Sequence, residues 1–531
     1  MKKITRRSFL QAAGVSTVAA ALAACSATDS TVVDSASTSE STSTETTVTE
    51  ANTAMSDERL TFLLDVAPTA MTNLTTASTL QVYGETISAS LFRYNDDTKT
   101  VDYALADSYE AIDDTHYQFH LREDAVYSDG TPVTSADVLY TLTAYKNIGV
   151  QDMVCIDPDN FEIIDDKNFI LALTTYTLGW EYCLGQGTSG IYSEAAVEAA
   201  GGVDSAGFAP IGCGRYVIKE WKAGESLLVE RNENYWDKDY VGYYKEIMFG
   251  YAADSASRTL AVRSGDADVA NRIGVADYVG LQSDSVGYGW SYDCGVVNSV
   301  YFNNESGVCS DVQVREALCY AIDPEAVNQV LNLGLAEVEQ GIWPSNFRFY
   351  TDYYGGSLYD PDKAIDLLAE IGMSTGLTIN CLVYDAFKDT ATVIQEQLRL
   401  VGVEVEVNSM DNATWTPLVR AGEYDITIGN TCIPCVNATM LNHVHPEKIG
   451  SSAYSIRVDN DEIWDAINTI NSPDEADQAA GFEAMFDYVF GNYTVCGLCG
   501  GDKYMGVKQG ITGLRVGNTY GYVDVTECYA E

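Results

Sequence analysis

From about residue 58 onward, apolar positions switch repeatedly between a spacing of two and a spacing near 3.6. RLTFLL, from Arg59, alternates as a short strand and runs into irregular chain. TLQVYGETISASLFRY (79–94) carries helical spacing, with Val82, Thr86 and Ala89 on one side. HYQFHLRE (116–123) and FEIIDDKNFILALTT (161–175) read as strands, the second folded at Asp165-Asp166. Between them, YSDGTPVTSADVLYTL turns at Asp129-Gly130 and then starts a helix. Thr134 is placed to cap that helix, Asp137 to reach back from three residues on, and Val133 and Val138 to staple its entry. GRYVIKEWKAGESLLVERN (214–232) is a hairpin pattern around Lys222-Ala223-Gly224-Glu225. YYKEIMFGYA adds a strand, and DSASRTLAVRSGDADVAN a helix stopped near Gly265.

A second run of elements starts near residue 299. DVQVREALCYAI is helical, and a further helix restarts with Asp323 as cap and Pro324 in its first turn. Asp360, Pro361 and a terminating Gly372 repeat the device. LTINCLVYD, TATVIQEQLRLVG, VEVEVNSM and WTPLVRAGEYDITIG then alternate strand and helix, the crossover pattern of a sheet covered by helices. The chain is therefore α/β, and the body from 58 to 531 is large enough for two domains or more.

The first 57 residues behave differently. MKKITRRSFLQAAGVSTVAAALAAC places four basic residues before an apolar run too short to span a bilayer, which is an export signal. Thr5-Arg6-Arg7-Ser8-Phe9-Leu10 resembles a twin-arginine motif. Leu22-Ala23-Ala24-Cys25 resembles a lipobox, which implies that Cys25 becomes the lipidated first residue of a membrane-anchored lipoprotein. An ordinary signal peptide with an incidental cysteine is the plainer alternative. Residues 26–57, dominated by Ser, Thr, Ala and acids, cannot repay chain ordering and read as a flexible tether.

The formal charge is −47, and setting aside the four positive charges of 1–25 leaves about −51. Such a chain repels nucleic acid and anionic headgroups. Thirteen cysteines include Cys25, so twelve remain, an even number that permits a disulfide framework outside the cytoplasm.

Several segments together resemble the large extracytoplasmic solute-binding proteins of peptide and nickel ABC importers, family 5. They are LADSYEAIDDTHYQFHLREDAVYSDGTPVTSADVLYTL, PIGCGRYVIKEWKAGESLLVERNENYWD, FNNESGVCSDVQVREALCYAIDPEAV, YDPDKAIDLLAEIG, IQEQLRLVGVEVEV and GEYDI, in that order over about 60–531. The resemblance implies a large, type II, two-lobed periplasmic-binding-protein-like fold with an extra flank subdomain on lobe I. Lobe I is expected at 58–95, 209–298 and, on its return, 492–531, with the flank subdomain at 96–208 and lobe II at 299–491. It also implies a monomer that captures a solute between its lobes, an oligopeptide first, and delivers it to ABC transporter permease subunits without chemistry or cofactor.

Family members that bind peptides place a carboxylate opposite the peptide amine, just after the strand that ends GEYDI. Here GEYDITIGNTCIPCVNATMLN (422–442) has no acid between Asp425 and His443, which favours another amine partner or a small polar or metal-chelate solute of the nickel type. Asn430, Thr431 and Asn437 of this loop can hydrogen-bond a ligand. Tyr454 and Arg457 lie in what resembles the next ligand-facing loop, and Arg457 can meet either a ligand carboxylate or an acid of its own lobe. Trp180, Tyr182, Trp290 and Tyr292 can wall a cleft or fill a core.

Cys432-Ile-Pro-Cys435 and Cys496-Gly-Leu-Cys499 admit a four-thiolate metal site or a redox pair, making a metal- or redox-active exported protein the rival reading; structural disulfides are the reading preferred. His443 and His445 could face one side of an extended chain, but lack further ligands. No GxSxG, HExxH or phosphate-loop motif occurs, so no catalytic residue is assigned.

Overall fold

Two mixed sheets share the chain. The computed structural model describes residues 55–67, 74, 84–95, 98–148, 155–203, 211–238, 241–292, 295–433, 440–501, 503–516 and 523–531. The export signal, Cys25, the tether as far as residue 54, Cys435 and Asn437 lie outside them. All described residues belong to one unit, Thr53–Glu531. Among them, no helix is long and apolar enough to cross a membrane.

The first sheet has seven strands, in the order Gly287–Tyr292, Lys503–Lys508, Val269–Ala270, Arg59–Leu64, Glu246–Tyr251, Ser226–Arg231 and Tyr216–Lys222. Its last two strands are the expected hairpin, turned at Gly224 with φ +77°. The second sheet has five, in the order Val403–Met410, Leu377–Tyr384, Ile426–Cys432, Val296–Phe302 and Val495–Gly500. Leu377–Tyr384 pairs in parallel with Val403–Met410 across the helix Lys388–Leu400, as the crossover pattern requires. These sheets carry the two lobes of a periplasmic-binding-protein-like fold.

A third, four-stranded sheet, Ala106–Ala111, His116–Leu121, Asn168–Ala172 and Glu162–Ile163, forms the flank subdomain with the helix Ser135–Ile148. The cap of that helix is reciprocal. Thr134 N–H donates to Asp137 Oδ2 at 2.9 Å, Asp137 N–H donates to Thr134 Oγ1 at 3.4 Å, and Val133 and Val138 are buried beside them. Asp323 and Asp360 cap their helices as their spacing with Pro324 and Pro361 predicts.

Three local expectations shift. Of the stretch 79–94, the described helix is only Gly84–Ile87, and Phe92–Asn95 is a strand whose aromatic and buried positions alternate. The chain changes sheet between Tyr292 and Val296, and again between Gly500 and Lys503, rather than at 299 and 492. All six residues of Val495–Gly500 are buried, so their pattern does not reveal which sheet they join. Two capped helices, Asp461–Ile470 after Asn460 and Glu475–Gly491 after Asp474, complete the second lobe beyond the last element read from spacing.

Candidate interlobe site

The strands that lead into and out of the two crossings pair with one another on both sides. Gly287–Tyr292 pairs antiparallel with Lys503–Lys508 in the first sheet, and Val296–Phe302 pairs antiparallel with Val495–Gly500 in the second. The lobes are thus joined by a two-stranded ribbon. Trp290 and Tyr292 lie on it just before the crossing, stacked with ring centroids 5.0 Å apart. Cys432, at the end of its strand opposite Val296, packs against the first lobe's core beside them.

Asn430 and Asn298 face one another in register at this end of the second sheet, both half-buried. Asn298 Nδ2 donates to the carbonyls of Cys499 and Gly500 at 3.3 and 3.4 Å. Thr431, one residue on from Asn430, takes the opposite face because side chains alternate along a strand. It is buried there, with Oγ1 donating to the Ile342 carbonyl at 2.6 Å.

The lobes also meet away from the ribbon. Leu178, in the segment after the flank strand Asn168–Ala172, is buried in a second-lobe cluster with Ile342, Trp343, Ile433, Met440 and Leu441. Its N–H donates to Asn471 Oδ1 at 3.2 Å. Ile433 and Met440, which flank the suspected ligand loop, belong to the same cluster. The same cluster holds Tyr301 Oη and Trp343 Nε1, buried polar atoms with no hydrogen-bond partner among the described residues. Neither Leu178 nor Asn471 carries a motif. Leu178 is a single apolar residue before a glycine, and Asn471 reads only as the end of a helix.

The remaining expected ligand residues have other company. Tyr454 stacks on Tyr301 at 5.5 Å and lies tilted against Trp415 at 5.4 Å, and its ring fills the space a side chain on Gly429 would need. Arg457 is buried, donating to Glu305 Oε2 at 2.5 Å through Nη2 and to the Arg420 carbonyl at 3.1 Å through Nη1. Its guanidinium is committed within its own lobe. Trp180 is 1% exposed in the flank core, 4.3 Å from the Tyr117 ring.

Cys435 lies outside the described residues, and among those described no group of three or more His, Cys, Asp or Glu is arranged to hold a metal. Cys496 lies beside Cys319 with its Sγ donating to the Gly497 carbonyl at 3.7 Å, and Cys499 Sγ accepts from Asn332 Nδ2 at 3.2 Å. Cys155, Cys213, Cys309, Cys319, Cys381, Cys496 and Cys528 stand as unbridged thiols, each buried in a packed core. A cavity of about 390 Å3 lies within the second lobe, over Cys319 and Cys496 and beneath Glu339 and Tyr354, and not between the lobes.

The two histidines diverge because 441–445 is a turn rather than extended chain. His443 Nδ1 donates to the Tyr454 carbonyl at 3.0 Å, whereas His445 Nδ1 accepts from the Glu447 N–H at 3.3 Å. Burial pushes His443 down to about 4, only partly offset by that hydrogen bond. A histidine with a depressed folded pKa disfavours the folded state wherever the unfolded chain is protonated and the folded one is not. Stability should therefore be complete above pH 6.5 and fall by about 2–3 kcal/mol as the pH drops from 6.5 toward 4. Urea titrations across that window should show the slope flattened in His443→Gln; an unchanged slope would assign it to other groups.

Comparison with known proteins agrees with this architecture. The family model of the bacterial extracellular solute-binding proteins, family 5 Middle, matches residues 100–437. "Probable D,D-dipeptide-binding periplasmic protein DdpA" of Escherichia coli K12 is 26% identical over 334 residues, covering 61% of this chain and 64% of that protein, just under two thirds of its length. "Heme-binding protein A" of Haemophilus influenzae is 24% identical over 378 residues, covering 65% and 68%. The structure of NikA from Brucella suis in complex with Fe(III)-EDTA superposes with a TM-score of 0.78 at 19% identity, over 90% of this chain and all of that one.

Proposed function

The chain belongs to the bacterial extracellular solute-binding proteins, family 5, and from that premise we propose that it captures a small solute between its lobes for an ABC importer. The observation that carries the reading is the pair of sheets joined by a ribbon and brought together again at Leu178 and Asn471. A ribbon that bends and a second contact that forms on closure are what a closing receptor needs. The receptor works as a monomer, passes its solute to permease subunits and carries out no reaction. It is held at the membrane by lipid on Cys25, with 26–57 as its tether, and Cys25→Ser should release it to the soluble fraction.

Short peptides are the first ligand class, supported by the dipeptide-binding name of the relative from Escherichia coli. A metal chelate is the second, supported by the missing acid between Asp425 and His443, by the heme-binding relative and by the neighbour solved in complex with Fe(III)-EDTA. Mass spectrometry of co-purifying molecules, followed by thermal shift against di- to pentapeptides and ferric or nickel chelates, separates them. A ligand at a hundred times its Kd should add about 2.7 kcal/mol to stability. Asn471→Ala should weaken binding three- to tenfold, the worth of one hydrogen bond made on closure, without lowering the Tm of the ligand-free protein. No shift with any of these solutes, together with no recovered ligand, would end the receptor reading.

A further inference from the structure

Two cysteines that belong to neither CxxC pair sit at the root of the segment that reaches the second lobe. Cys155 and Cys183 are 2% and 0% exposed, and their sulfurs are 3.9 Å apart in the flank core beside Trp180. Cys155 is fixed on one side. Its carbonyl accepts from Thr174 N–H at 2.9 Å, and the next residue, Ile156, bridges to Leu173. Cys183 ends the short helix Trp180–Cys183. The chain between Thr174 and Cys183 is therefore a short arm, anchored at one end through Cys155 and at the other by Cys183. Leu178, on that arm, makes the contact with Asn471.

We propose that Cys155 and Cys183 form a disulfide that ties down both ends of this arm. The structure shows the pair as thiols. Sulfurs 3.9 Å apart need to close by about 2 Å to reach bonding distance, a movement within reach of side-chain rotation with a small backbone adjustment. The oxidant is a low-molecular-weight disulfide, RSSR, of an oxidising compartment, so the step in the cell rests on the extracytoplasmic placement proposed above. One cysteine thiolate attacks a sulfur of RSSR and expels RS−; the second thiolate then attacks the mixed disulfide and expels another RS−. One protein S–S bond forms, the S–S bond of RSSR breaks, and the two protons and two electrons leave as 2 RSH. Both thiols are buried, so the first attack runs through a lifted arm, and the bond holds the arm in its docked shape once formed.

The bridge would act on the lobe contact. A cross-link between residues 28 apart removes freedom from the open and unfolded states, and the arm it spans is the one that Leu178 uses to meet the second lobe. The test uses purified full chain in glutathione buffers of graded potential, followed by acid quenching, alkylation, digestion without reductant and mass spectrometry. The expected result is one linked peptide pair joining Cys155 to Cys183, two mass units below the sum of its thiol forms. Oxidised wild type should also melt several degrees above Cys155→Ser/Cys183→Ser in the same buffer. Recovery of both residues as separately alkylated thiols after equilibration in the most oxidising buffer would overturn the proposal, as would either residue bridged to another cysteine. Solute binding by fully reduced protein, measured alongside, reports on the receptor reading by itself, so failure of one proposal is not mistaken for failure of the other.

Discussion

Replacing Arg215 with methionine should cost the fold about 3–5 kcal/mol, because it strips the buried Asp524 carboxylate of its cation and takes from Glu527 one of its two guanidinium partners. The Arg215 side chain is 4% exposed at the start of the first lobe's hairpin. Its Nη1 donates to Thr526 Oγ1 at 2.5 Å and to Asp524 Oδ2 at 3.3 Å, and its Nη2 donates to Glu527 Oε1 at 2.7 Å. The network sews the C-terminal segment onto the hairpin. Burial alone would raise the Glu527 carboxyl, but the Arg215 and Arg515 guanidiniums outweigh it and hold the group below its ordinary value of 4.5. A carboxyl lowered in this way contributes stability that is complete above about pH 4.5 and is lost as the pH falls through the lowered value. Denaturant titrations should therefore show the deficit of Arg215→Met to be largest near neutrality and smaller at pH 3. A loss below 1 kcal/mol at pH 7 would mean that the segment rearranges and rehydrates its acids.

Trp180→Ala should be comparably damaging, by about 3–5 kcal/mol, and for an unrelated reason. The indole is enclosed by the rings of Tyr117 at 4.3 Å, Tyr109 at 5.7 Å and Phe119 at 6.3 Å. Truncation leaves a cavity among side chains that are themselves interlocked and cannot collapse into it. Urea denaturation gives the size of the loss, and calorimetry with a bound solute tells whether the side chain does anything else. A variant that keeps wild-type stability while losing its solute would move Trp180 from the core to the ligand.

Local chemistry made much of the fold legible before any coordinates. Thr134 and Asp137, Asp323 with Pro324, and Asp360 with Pro361 each fix a helix start from neighbours within three or four residues, and all three starts are found there. Gly224 marks the hairpin turn for a similar reason, since its φ of +77° suits a residue without Cβ. The site is harder to read because it depends on which partner a side chain meets across the molecule. Arg457 has the chemistry to grip a carboxylate, but Glu305, 152 residues away, is the one it meets. Asn430 and Thr431 are neighbours on a strand, so their side chains take opposite faces of the sheet, and Thr431 turns inward to the Ile342 carbonyl. The contact between Leu178 and Asn471, 293 residues apart, left no local trace at all.

The ribbon between the lobes also dictates an order of assembly on the ribosome. Lys503–Lys508 sits inside the first sheet, between Gly287–Tyr292 and Val269–Ala270, although it is synthesised after the whole second lobe. Val296 to Gly500 is continuous and supplies every strand of its own sheet, so it can pair its strands as soon as it emerges. Meanwhile Gly287–Tyr292 waits with a bare edge, and the first sheet stays divided until the last thirty or so residues are made. A chain truncated before Lys503 would keep that edge open permanently. Nascent chains stalled there should be the ones that recruit chaperones or aggregate, while those released past Lys508 close the gap and become soluble.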